Sequence, residues 1–160
     1  MLAETVKRIA DEVSCNCTCY VNLDSDDYFN YPNMMNMEFQ FYLDSFDEEN
    51  PDTEAENDED IFKMDAEKLR SWEHVLVIEP MESREDFRVM ENFIIDCVPE
   101  TDFLRPRLFR ILEKSHPFSR FRDEVLNGPY REAWFDYRLK AYVQYVRELL
   151  ELEGVKITES

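Results

Sequence analysis

Apolar residues open the chain at helical spacing. Leu2, Val6, Ile9, Ala10 and Val13 share one face of a 3.6-residue period and predict an amphipathic helix. The period then drops to two. Cys15, Cys17, Cys19, Val21 and Leu23 alternate with polar or amphipathic residues, the pattern of a half-buried strand. Asp24-Ser25-Asp26-Asp27 predicts a turn, because short Asp and Ser side chains bond to nearby backbone amides, and Tyr28 to Tyr31 can return as the hairpin partner. Met37, Phe39, Phe41 and Leu43 alternate with Glu38, Gln40 and Tyr42, which predicts another strand. Asp65 is placed to cap a short helix running through Glu73. Val75 to Ile78, β-branched and closed by Pro80, predicts a further strand.

Beyond Pro80 the signals are helical. Ser83-Arg84-Glu85-Asp86 has the form of a capping box, followed by an apolar face of Phe87, Met90, Phe93, Ile94 and Cys97 and a stop at Pro99. Thr101 or Asp102 can start the next helix, with Leu104, Leu108, Ile111 and Leu112 inward and Pro106 confined to the first turn. His116-Pro117 starts a third helix, which Asn127-Gly128 is expected to end with a left-handed cap. A last helix runs from Pro129 to about Glu153, before Gly154. Its apolar residues, Trp134 among them, cover more than one face, as in the central helix of a bundle. The expected fold is therefore α+β, as a single domain over 1–160. A small antiparallel sheet from the N-terminal half packs with a C-terminal bundle of about four helices.

Charge divides this picture. The net charge is −19, yet no Lys or Arg lies between Ile9 and Phe62, where sixteen acidic residues stand. Residues 44–60 alone hold ten acids and Pro51, the composition of a solvated loop or a disordered segment. From Phe103 to Arg147, ten basic residues face five acidic ones. Net acidity disfavours non-specific nucleic-acid binding, which needs clustered Lys and Arg. No apolar run approaches the ~20 residues of a membrane span. The N-terminus lacks the basic and apolar regions of a secretory signal, so a cytoplasmic protein is expected.

Candidate chemistry is sparse. Cys-x-Cys-x-Cys spaces thiols along a strand rather than wrapping two around one metal, so burial is the plainer reading of Cys15, Cys17 and Cys19. The glycines are Gly128 and Gly154, both placed as helix caps, which leaves none for a phosphate cradle of the P-loop or dinucleotide kind. The two histidines, His74 and His116, stand at element boundaries and outside any metal-binding spacing. An enzyme would need a cleft that gathers one of them with carboxylates. Asp24 to Asp27 opens like a calcium loop, but Phe29 and Met35 stand where that loop needs Gly and Glu. No catalytic, cofactor-binding or metal residue is predicted.

Three segments carry a resemblance. Ser-Arg-Glu-Asp-Phe-Arg-x-Met-Glu-x-Phe at 83–93, Pro-Phe-Ser-Arg-Phe-Arg-Asp at 117–123 and Ala-Trp-Phe-Asp-Tyr-Arg at 133–138 resemble Uncharacterised Protein Family 0158 of the UPF series, a bacterial group. Cys19 to Asp24 is similar to that family's early strand, although the turn after it has no glycine here. The resemblance implies a related fold and no established activity. The residues themselves lean away from an enzyme and toward a protein-interaction or regulatory domain. Its contact would be the acidic loop or the arginine-bearing bundle surface of Arg105, Arg107, Arg110, Arg120 and Arg122. The alternative is a nucleic-acid-associated protein that uses 103–147.

Overall fold

Hydrogen bonding along both edges of β1 (Cys17–Asn22) organises the N-terminal half of the computed structural model, which describes residues 1–45 and 57–159. β2 (Tyr28–Pro32) and β3 (Val75–Ile78) pair antiparallel on either side of it, in the order β2-β1-β3. Cys19 stands opposite Asn30 on one edge and Ile78 on the other. The strand is buried on both faces, where the alternation predicts a half-buried one. A central strand of three needs cover on each side. Helix α1 (Ala3–Ser14) supplies Val6, Ile9, Ala10 and Val13 to one side, and the Cys19 thiol points at the Ile9 carbonyl at 4.0 Å. Cys15 falls outside the strand and is exposed.

The other face of the sheet is aromatic. Tyr20, Tyr31, Phe39 and Phe62 are buried together with Ala66, with Phe29 and Trp72 against them. Tyr20 stacks on Phe29 at 4.9 Å and meets Phe39 edge-on at 5.4 Å. Phe39 comes from α2 (Asn33–Ser45), which corrects the strand predicted over 37–43. In a strand, Met37, Phe39 and Phe41 would share a face. Here Phe39 is fully buried while Met37 and Phe41 are exposed, and Asn36, held by the Tyr20 hydroxyl at 2.6 Å, completes the inward face.

α3 (Asn57–Ser71) brings a second correction. The segment 44–60 is predicted as loop or disorder, yet Asp44 belongs to α2 and residues 57–60 open α3. Residues 46–56 lie outside the described part. Asp65 is not a cap either. It sits inside α3 and accepts a hydrogen bond from the Tyr31 hydroxyl.

The turn after β1 assigns its polar residues to separate tasks. His74 Nδ1 lies 3.0 Å from Asp24, Ser25 Oγ accepts the Asp27 amide, and Asp27 pairs with Lys68 at 2.9 Å. Asp26 accepts from the Leu2 amide and the Thr5 hydroxyl at the start of α1. Asp24, Asp26 and Asp27 thus turn to three different partners.

The helices after Pro80 form α4 (Ser83–Cys97), α5 (Leu104–Leu112), α6 (Pro117–Leu126) and α7 (Arg131–Leu152). The described residues divide into two compact units, Met1–Pro80 with the chain from Val143 onward, and Met81–Tyr142. The second unit is helical and built on Trp134, whose ring lies edge-on to Phe93 and to Phe121, each at 5.1 Å. Met90, Ile94, Leu108, Leu112 and Val125 fill the space around them. The fold class is α+β, as the patterning predicts.

Local details differ. Glu82 rather than Ser83 occupies the cap position of α4, no side chain caps it, and the Asp86 amide bonds to the Glu82 carbonyl at 3.0 Å. Asp102 accepts the Leu104 amide at 2.9 Å and Pro106 falls in the first turn of α5. α6 ends without the left-handed cap expected at Asn127-Gly128, since Asn127 has φ −93° and its side chain donates to the Asp123 carbonyl. Gly128 serves by close approach instead, because a Cβ there would lie 3.3 Å from the Glu124 carbonyl oxygen. Gly154, at φ +83°, does take the left-handed conformation after α7. Among the described residues no helix is long and apolar enough to cross a membrane.

Candidate functional site

The three sequence segments from 83–93, 117–123 and 133–138 meet around one cavity in the helical unit, of about 490 Å³. α4 contributes Asp86 and Met90, one helical turn apart. α6 contributes Phe118, Ser119 and Arg122, with His116 just before it. α7 contributes Trp134, Phe135 and Arg138. Eight of the nine lining residues thus belong to those segments, and His116 is the ninth.

Local backbone explains how each arrives. His116 precedes Pro117, whose ring disfavours the right-handed helical region for the residue before it. His116 is left-handed, at φ 53° and ψ 51°, so the chain turns sharply before α6 begins. That turn sets His116, Phe118 and Ser119 at the first turn of the helix, the end where backbone amides and the helix dipole favour negative charge. Arg122 follows Ser119 by three residues and so lies on the same face. On α7, Arg138 is one turn beyond Trp134 and Phe135. Its guanidinium lies 5.0 Å from the ring centre of Tyr142, which orients it by cation–π attraction.

The electrostatics are mixed, with an excess of positive groups. Asp86 is half-buried. Loss of water raises its pKa, against the opposing pull of the Arg138 charge and of the Tyr142 hydroxyl, which donates to Oδ1 at 3.3 Å. Burial, then the nearby Asp86 charge, pushes the Tyr142 phenol up to about 12. Arg122, Arg138 and the N-terminus of α6 border the space with donors, and the Ser119 hydroxyl beside them donates to the His116 carbonyl at 3.5 Å. Met90, Phe118, Trp134 and Phe135 give it apolar walls. Such a cavity suits an anionic group carried on an apolar or aromatic body.

The five arginines named from the sequence fare differently. Arg105 lies 3.8 Å from Glu100, donates to the Val98 carbonyl and covers the Phe109 ring. Arg107 grips Glu124 through Nε at 2.8 Å, with a second bond from its NH2 group at 3.3 Å. Arg110 donates to the Pro106 carbonyl. Arg120 is exposed away from the cavity, and Arg122 lines it. Of the five, Arg122 is the one that lines the cavity. Sequence reasoning did not single out Asp86 or Ser119 for the site. The signal was available in the clustered aromatic and charged residues of the three segments.

The cavity also brings His116 together with a carboxylate, Asp86, although no hydrogen bond joins them among the described residues. His74 lies elsewhere. With Asp24 and Glu73 it forms an exposed group whose potential ligand atoms fall within 4.8 Å of one another. His74 is already engaged there by Asp24, whose hydrogen bond and then charge raise its pKa. No family model, curated protein or solved structure matches the chain.

Proposed function

We propose that this protein is a non-enzymatic interaction or regulatory domain whose helical unit receives an acidic, aromatic-flanked segment of a protein partner. The observation that carries this reading is the convergence of Arg122, Arg138, Ser119 and the α6 N-terminus on a cavity walled by Trp134, Phe135 and Phe118. Guanidinium groups beside aromatic faces favour carboxylates attached to apolar bodies. The resemblance to Family 0158 contributes no activity to this reading. Its three segments and the cavity coincide, which makes the cavity the place to test. Four free thiols, two of them buried, support placing the protein in the reducing cytoplasm.

The test is fluorescence anisotropy with a labelled peptide of alternating Glu and Phe, against a control of alternating Lys and Phe. Saturable binding of the acidic peptide, weakened at least ~tenfold by Arg122→Glu, is expected for a charge-assisted contact. Equal affinity of the wild-type protein and Arg122→Glu would contradict the reading. The chain's overall charge of −19 sharpens this experiment, since only a local site can hold an acidic ligand.

An enzyme is the second reading, favoured by the one observation that His116 and Asp86 line the same cavity. Turnover of a small ester or phosphoester that His116→Asn abolishes, with peptide binding intact, would prefer it. The nucleic-acid reading of 103–147 draws less support, because Arg105, Arg107 and Arg147 sit in ion pairs with Glu100, Glu124 and Glu159.

A further inference from the structure

Helix α2 is apolar on two opposite faces. Its inward face holds Phe39 and Asn36, with Met35, Tyr42 and Leu43 beside them. Its outward face holds Met34, Met37 and Phe41, spaced i, i+3 and i+7 and therefore aligned along one side of the helix. These three are 84%, 60% and 70% exposed. On α3, which packs against α2, Ile61 and Met64 are exposed as well. Single exposed apolar residues are ordinary, whereas three large ones in register on one helix form a stripe of the kind that marks an interaction surface.

The composition of the stripe and its border say what would cover it. Methionine side chains are unbranched and polarizable, so they repack against varied apolar partners. At 100° per residue, Glu38 and Asp44 fall on the two flanks of the stripe. From Ile9 to Phe62 the sequence holds sixteen acids in all, Glu38 and Asp44 among them, and no Lys or Arg. A second copy of this chain would bring the same negative rim and be repelled. An acidic or anionic surface would be repelled too. The complementary occupant is cationic and apolar on one side.

We propose that the Met34–Met37–Phe41 stripe of α2 docks a basic amphipathic helix of a partner protein, its apolar face on the stripe and its Lys or Arg residues toward the acidic rim. Helix-on-helix docking of this kind reads anchors at i, i+3 and i+7, the spacing present here. The surface is distinct from the cavity of the helical unit and takes a ligand of the opposite charge.

The experiment uses the full chain and a synthetic 18-residue peptide of Leu and Lys in amphipathic order as the probe. Its counterpart has every Lys replaced by Glu. Calorimetry should show saturable binding of the Lys peptide, and Met37→Ser/Phe41→Ser should weaken it at least ~tenfold with the circular dichroism of the chain unchanged. Arg122→Glu should leave it unaltered, which separates failure here from failure of the cavity reading. Undiminished binding by the double variant would overturn the proposal, since charge alone would then explain it. Equal binding of the Glu peptide would overturn it as well. So would sedimentation showing a wild-type dimer that the double variant abolishes, because a second copy would then be the occupant.

Discussion

Asp86 occupies a position whose chemistry works against the fold. Burial outweighs the Arg138 charge and the Tyr142 hydrogen bond, so its carboxyl binds a proton more readily in the folded than in the unfolded chain. The sign follows directly. Stability falls as pH rises from the ordinary carboxylate range through the raised pKa, and the cost is fully present above it. Asp86→Asn keeps an oxygen for the Tyr142 hydroxyl and removes the buried charge. It should raise Tm at pH 7.5 by roughly 1–3 °C, the scale for a fraction of 1 kcal/mol in a chain of this length. Thermal denaturation at a pH near 4 should show the difference shrink. A lower Tm for the variant at pH 7.5 would mean that the pairing with Arg138 dominates. His116 presents a similar tension. Its left-handed backbone costs a residue with a Cβ about 1 kcal/mol, so His116→Gly should stabilise by roughly 0.5–1 kcal/mol in urea titrations. The same variant should bind the acidic peptide less well if the imidazole contributes to the cavity.

At the scale of elements, α2 separates helix from strand by substitution. Phe39 and Phe41 would share a face in a strand and would cost alike. In the helix, Phe39→Ala removes a fully buried ring and should cost ~3–5 kcal/mol, while Phe41→Ala should change stability by less than ~0.5 kcal/mol. Comparable losses at both positions would restore the strand. The same helix shows why the sequence was only partly legible. Its apolar residues serve two faces, so any short window contains a period of two as well as one of 3.6. The first helix, α4, α5 and α6 each have one dominant apolar face, and there the predicted and the observed elements agree. β1 was legible as a strand but not as a doubly covered one, because Thr18 and Tyr20 look outward-facing until an aromatic layer covers them. The cavity was less legible still. Asp86, Ser119 and Arg138 are far apart in sequence, and only the packing of α4, α6 and α7 around Trp134 assembles them.

Across the whole chain, charge is the organising quantity. The acids are concentrated between Ile9 and Phe62, while 103–147 is locally basic. Two ligands of opposite charge should therefore respond differently to salt. A basic amphipathic peptide is attracted both by the rim of the α2 stripe and by the net charge of −19, so its affinity should fall steeply between 0.05 and 0.5 M NaCl. An acidic peptide is attracted by Arg122 and Arg138 but repelled by the molecule as a whole. Salt screens both effects, and its affinity should change less. Anisotropy titrations across that range would contradict this division if the acidic peptide proved the more salt-sensitive of the two.

The central claim is that the cavity beside Trp134 takes an acidic segment, and ¹H–¹⁵N correlation spectra of the full chain titrated with the Glu–Phe peptide address it most directly. Saturable shifts should concentrate at the Trp134 indole N–H and at the Ser119 and Arg122 amides, and Arg122→Glu should suppress them. Shifts confined to α2, or none at peptide concentrations that saturate the anisotropy signal, would contradict the account.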